Sequence, residues 1–325
     1  MPREAPIARR IAALGRSNAA ILRSLEAEGA GRDAKLLAIG DSWFAFPLPL
    51  FGGARNLIDA IAPKRRSTAI DLSLVGDTAA NMASGERYDQ LRAILAGGRD
   101  EPPIPVAALL VSAGGNDLVD RIGDLVGTVT RAAASELAGR ATSVEAQREA
   151  HRRVLEALAG RDAQRIFEAV IADVARLVAA RDGGPNAAVP AILHGYCHVT
   201  PRDAPALRFP FRIGPWIWKV LEPLGYTQAQ QQEIARRVID EHNRRLAVLA
   251  DTTRHVYVLD LRTLQDDRPA GLGAAPQRDS RLPVAEPSSL EPTPWWHDEI
   301  HLNTAGWELV ARRLFDPLLD TLLGD

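Results

Sequence analysis

Five short apolar runs constrain this chain more than any other feature: Lys35–Ile39, Ala69–Val75, Val106–Ser112, Ala187–His194 and Val256–Leu261. Each has the length of a strand buried on both faces. Between them lie segments whose apolar residues recur at helical spacing, notably Asn56–Ala62, Asn81–Leu95, Ala163–Ala180 and Gln228–Ala250. Strands alternating with helices predict an α/β fold, with a mainly parallel sheet of five strands covered on both faces. Pro190 in the fourth run removes a ladder donor, which fits an edge position. A last helix is expected from about Thr304 to Leu323, kinked or broken at Pro317.

Three stretches exceed what such a sheet needs. Residues 118–161 are rich in Ala and Arg and read as helical, and 201–225 carries Phe209, Phe211, Trp216 and Trp218 among prolines and glycines. Residues 265–294 are Pro, Gly, Asp and Ser with little periodicity, and read as a surface loop. None of the three looks like a separate domain. Residues 1–32 are expected to form an amphipathic helical extension, with Ile7, Ile11, Leu14, Ile21, Leu22 and Leu25 roughly on one stripe. That stripe fits a dimer contact or packing on the sheet's helical layer, and nothing else indicates a homo-oligomer. Residues 33–325 are expected to form one domain.

Composition narrows the function classes. A formal net charge of −2 gives no reason to expect nucleic acid as a partner. Lysine occurs only at Lys35, Lys64 and Lys219, so the basic residues are almost all arginine, as coding bias toward GC would give. Cys197 is the sole cysteine, which excludes an intramolecular disulfide. No apolar run approaches the roughly 20 residues of a membrane span. Arg9, Arg10, Arg16 and Arg23 interrupt the N-terminal segment, which lacks the apolar core of a secretion signal. A cytoplasmic location is expected.

Chemistry concentrates where runs end. The first stops at Gly40-Asp41-Ser42, with Trp43, Phe44 and Phe46 following at once. A serine there sits at the carboxyl edge of the sheet, where open α/β folds place their ligands, although Gly-Asp-Ser is also ordinary turn composition. A serine hydroxyl needs a base, usually a histidine oriented by a carboxylate. His301 stands in WWHDEIHLNTAGW with Asp298 three residues before it. In a tight loop or single helical turn that spacing sets a carboxylate beside the ring. The same segment also reads as a polar turn before a helix, with Asn303 or Thr304 as cap. After the third run, SAGGNDLV supplies Asn116, whose amide donates to a developing oxyanion without carrying charge. After the second, Gly76-Asp77-Thr78 supplies a backbone N–H on the same edge.

Gly40-Asp41-Ser42, then Gly76, then Gly114-Gly115-Asn116-Asp117, then Asp298-Glu299-Ile300-His301 resembles, block by block and in order, the SGNH (GDSL) hydrolase family. The resemblance runs from about residue 35 to the C-terminus. It implies a flavodoxin-like three-layer α/β/α fold and hydrolysis of an ester without metal or other cofactor. Position by position it implies Ser42 as nucleophile, His301 as base and Asp298 as its orienter. It further implies an oxyanion hole of the Ser42 and Gly76 N–H groups with the Asn116 amide, and Asp41 and Asp117 as organisers of hydrogen bonds around the site.

The chain departs from the family in Trp43, where leucine is usual, and in its long insertions. Trp43, Phe46, Trp216 and Trp295 are expected to line a pocket for a small-molecule or lipid-like ester, with Trp218 and Trp296 as further candidates. Two alternatives use the same residues: transfer of the acyl group to an alcohol, and non-catalytic binding of an acylated ligand. His194 and His198 are spaced as in a helical metal pair, but they fall at a strand end, where that spacing does not bring them to one face.

Overall fold

Six parallel strands make up the sheet of the computed structural model, which describes residues 9–46, 56–98, 101–138, 142–206, 213–264 and 295–324. They are β1 (Arg9–Ala12), β2 (Ala34–Gly40), β3 (Ser67–Asp71), β4 (Ala108–Ser112), β5 (Ala191–His194) and β6 (Val256–Leu259), in the spatial order β1-β3-β2-β4-β5-β6. Without β1 this is the strand order of a flavodoxin-like sheet, which reverses direction between β2 and β4. At that reversal the strand ends lie side by side, with Gly40 opposite Ser112.

The helices are α1 (Asn18–Ala27), α2 (Ser42–Ala45), α3 (Leu57–Ala60), α4 (Ala79–Met82), α5 (Gly85–Ala96), α6 (Gly115–Leu137), α7 (Ser143–Ala159), α8 (Arg161–Ala179), α9 (Trp218–Leu221), α10 (Gln228–Leu246), α11 (Thr304–Val310) and α12 (Asp316–Leu323). Alternation along β2 divides the core, because successive strand side chains point to opposite faces. Leu37 and Ile39 pack with Ile21, Leu91, Ile94 and Val174 from α1, α5 and α8. Leu36 and Ala38 pack with Leu57, Ile58, Trp307, Phe315 and Leu318 from the opposite layer. A third cluster, built by Leu118, Ile122, Val126, Val154, Phe167, Leu221 and Ile234, joins α6 through α10 to one another rather than to the sheet. Reciprocal caps fix the starts of α7 and α10, where Thr142 pairs with Glu145 and Thr227 with Gln230.

Three sequence expectations change. The sheet has six strands rather than five, because residues 9–12 are not helical. They form an edge strand on β3, and helix begins only at Asn18, capped by Ser17. Arg10 secures that edge by donating to Asp71 at 2.6 and 2.9 Å and to the carbonyl of Phe44 at 2.8 Å. Second, the Pro190 strand is internal, between β4 and β6. Pro190 lies just before it and only accepts, through its carbonyl, from Leu109. Third, the C-terminal helix passes Pro317 through a π-helical turn over Ala311–Phe315, which leaves the proline in the first turn of α12. There its missing N–H breaks no helical bond. Residues 265–294, Phe209, Phe211 and Ile7 lie outside the described residues. Among the described residues no helix is long and apolar enough to cross a membrane.

Candidate active site

Ser42 opens α2 directly after β2, and Gly40 makes that position reachable. A Cβ on Gly40 would stand 2.7 Å from the Phe44 ring and 2.8 Å from Ser112 Cβ, so only glycine lets the ends of β2, β4 and α2 converge. Asp41 caps α2 by accepting the Trp43 N–H at 2.9 Å. It also accepts the Ser112 hydroxyl at 2.8 Å and the Tyr196 hydroxyl at 2.6 Å. One buried carboxylate thus ties together the chain ends after β2, β4 and β5. Burial raises its pKa against the pull of those three donors.

His301 Nε2 lies 2.7 Å from Ser42 Oγ, and its Nδ1 lies 2.7 Å from Asp298 Oδ2. The other oxygen of Asp298 accepts the N–H groups of Ile300 at 2.8 Å and His301 at 2.7 Å. This closes a tight turn in which the carboxylate has little freedom. With Nδ1–H given to Asp298, Nε2 carries the lone pair and can accept the serine proton. Phe46 stacks on the His301 ring with centroids 4.0 Å apart and planes 18° from parallel, while Trp216 meets it edge-on at 5.1 Å. Phe46 is one turn beyond Ser42, its N–H bonded to the Ser42 carbonyl. The same turn therefore presents a hydroxyl to one atom of the imidazole and a wall to its face. Asn303 meanwhile caps α11, so the segment is the polar helix start that its sequence allowed and also sets Asp298 beside the His301 ring.

Asn116 and Asp117 begin α6, entered through Gly114 at φ +106°. A Cβ at Gly114 would be 2.7 Å from the His242 ring, so both its backbone conformation and its surroundings require glycine. Asn116 Nδ2 donates to the Asp77 carbonyl at 2.8 Å, and Asp117 accepts the Ala79 N–H at 2.7 Å. Two neighbouring side chains grip the turn that holds Gly76, which is exposed at φ +77°. Burial raises the Asp117 pKa. Among the described residues neither the Ser42 nor the Gly76 N–H has an acceptor.

Two groups escaped the sequence reading. Tyr196 accepts the Gly115 N–H at 3.0 Å while donating to Asp41, and nothing in GYCHV announces this. Glu299 is buried, and its carboxylate accepts the N–H groups of Trp216, Ile217 and Trp218 at 2.6, 2.9 and 2.7 Å. Burial pushes its pKa up to about 7 despite those donors. The one signal for it was a second acid inside a loop already committed to the interior.

A cleft with about 850 Å³ between its walls, open mouth included, reaches Ser42 and Asn116. Trp43 and Tyr196 are its aromatic lining residues, Asp41, Ser42 and Asn116 its polar ones, and the rest of the wall is aliphatic or glycine. Phe46 and Trp216 lie against His301, and Trp295 packs on the core layer that holds Trp307 and Phe315. His194 Nδ1 bonds to the Gly195 carbonyl and His198 to Asp240 at 2.7 Å. Cys197 is buried with its sulfur toward the Leu261 carbonyl. Among the described residues no group of three His, Cys, Asp or Glu side chains has the arrangement of a metal site.

No family model and no curated protein matches the sequence. Among solved structures, an extracellular lipase from Streptomyces rimosus is similar at 14% identity and TM-score 0.46, over 89% of this chain and 99% of that one. An acetyl xylan esterase from Geobacillus stearothermophilus is similar at 15% identity and TM-score 0.37, over 90% and 94%. A gut microbial diltiazem-metabolizing enzyme is similar at 12% identity and TM-score 0.37, over 87% of this chain and 46% of that one.

Proposed function

We propose that the protein is a serine hydrolase of carboxylic esters that works through an acyl-enzyme, with an SGNH-type site. The unbroken hydrogen-bonded series Ser42–His301–Asp298 carries this reading. In it, Ser42 Oγ attacks the ester carbonyl carbon as its proton passes to His301 Nε2. Asp298, fixed by two backbone N–H groups, holds the imidazole in the required tautomer and stabilises the cation that forms. The carbonyl oxygen becomes an oxyanion that the Ser42 and Gly76 N–H groups and the second hydrogen of Asn116 Nδ2 receive. Collapse expels the alcohol, which takes the proton back from His301. Water, deprotonated by the same nitrogen, then attacks the acyl-enzyme and frees the acid and Ser42. Asp41 and Asp117 act one layer out, Asp41 on the serine turn and Asp117 on the Gly76 turn.

The test is hydrolysis of p-nitrophenyl esters by the wild type and Ser42→Ala. Loss of at least 10³ in kcat with an unfolding curve near wild type is expected. Substantial turnover by a folded Ser42→Ala protein overturns the reading.

A further inference from the structure

We infer that the apolar cleft is an acyl-chain corridor, and that the preferred substrates are esters of straight-chain acids of about eight to twelve carbons. This rests on the esterase reading and adds to it the identity of the acyl group.

The corridor starts at Ser42, Gly115 and Asn116 and follows one face of α6. Leu118, Ile122 and Val126 succeed one another every four residues, the spacing that lines up side chains on one side of a helix. Val220 and Leu221 from α9 and Ile234 and Val238 from α10 form the facing wall. Gly123 marks the narrow middle of the passage, where a Cβ would already be in van der Waals contact with Val220 at 3.5 Å, so a larger side chain there would block it. Apart from Asp41 at the mouth, already bonded to three donors, no lining residue is charged. A sugar or charged group would lose its water there without replacement hydrogen bonds, whereas methylenes gain by burial.

The position of the base decides which half of the ester enters. His301 is outside the corridor wall while Asn116 is within it. The departing alcohol oxygen must face His301 Nε2 to be protonated, so the retained acyl carbon chain points the other way, along α6. From Gly115 to Val126 that helix advances roughly 16 Å at about 1.5 Å per residue. An extended chain advances roughly 1.2 Å per bond, so the wall accommodates a medium-length acyl group.

The experiment measures kcat/KM for p-nitrophenyl esters from acetyl to myristoyl, and for acetates of alcohols of the same lengths, in the wild type, Gly123→Leu and Val220→Trp. Both substituted positions are only partly buried, and thermal unfolding verifies that each variant is folded. For the wild type, kcat/KM is expected to rise about two- to fourfold per methylene to an optimum between eight and twelve carbons. No such rise is expected when the alcohol is lengthened. In either variant the ratio of decanoyl to acetyl ester activity should fall at least tenfold, with the optimum shifted to shorter chains. An optimum at acetyl, a response to alcohol length instead, or an unmoved optimum in two folded variants overturns the corridor while leaving the esterase reading in place. If no ester is turned over, the esterase reading fails, and decanoate binding to Ser42→Ala decides the corridor. Binding that Gly123→Leu abolishes supports it, and no binding overturns it.

Discussion

In the proposed mechanism Asn116 serves structure and chemistry together. One hydrogen of its amide holds the Asp77 carbonyl at 2.8 Å, which fixes the plane of the group and leaves the other hydrogen to donate. A donor preorganised in this way acts mainly on charge that develops during the reaction. Asn116→Ala should therefore lower kcat by about 10²–10³ while KM changes less than tenfold. A raised KM with unchanged kcat would mean that Asn116 contacts the ground-state substrate. At this scale the sequence marks Ser42, Asn116, Asp298 and His301 as candidates, and the fold brings Ser42, His301 and Asp298 into one hydrogen-bonded series. Tyr196 and Glu299 are not marked, because their roles come from burial and from partners 155 and 83 residues away.

At the scale of elements, Glu299 joins two pieces of chain that sequence treats as unrelated. The loop that carries His301 supplies the carboxylate, and the aromatic insertion supplies three consecutive N–H groups. Trp216 is thereby held against His301, and Ile217 and α9 against the cleft. Glu299→Leu removes the acceptor of three partly buried N–H groups, so it should cost about 3 kcal/mol in denaturant unfolding and alter tryptophan fluorescence. The folded pKa of about 7 stands above the ordinary 4.5, so the folded state binds the proton more tightly. Its contribution is fully present below about pH 4.5 and is lost as pH rises through 7. The gap between wild type and Glu299→Leu should therefore be wider at pH 5 than at pH 7.5. A gap that widens with pH would mean that the N–H groups outweigh burial and keep the carboxylate ionised. The N-terminal segment was misread at this same scale. Four residues of edge strand are too short to show a period of two, and their pairing lies with β3, some 60 residues on. The apolar stripe of α1 then seemed to extend through them.

At the scale of the whole molecule, alternating runs made the parallel sheet readable from sequence, since buried strands leave a continuous apolar trace, whereas its strand order and the reversal between β2 and β4 come from the fold. The third apolar cluster was not readable. Residues 118–161 read as helices without a destination, because α6 and α7 bury their apolar faces on other helices and not on the sheet. That assembly adds aliphatic side chains from α6, α9 and α10 to a cleft that Trp43 and Tyr196 also line. The most direct measurement on the central claim is intact-mass analysis after treatment with an alkyl fluorophosphonate, followed by mapping of the modified peptide. One adduct per chain on Ser42 is predicted, formed at least a hundredfold more slowly in His301→Ala and absent from Ser42→Ala. No adduct on the wild type, or one that persists in Ser42→Ala, would contradict an activated nucleophile at this position.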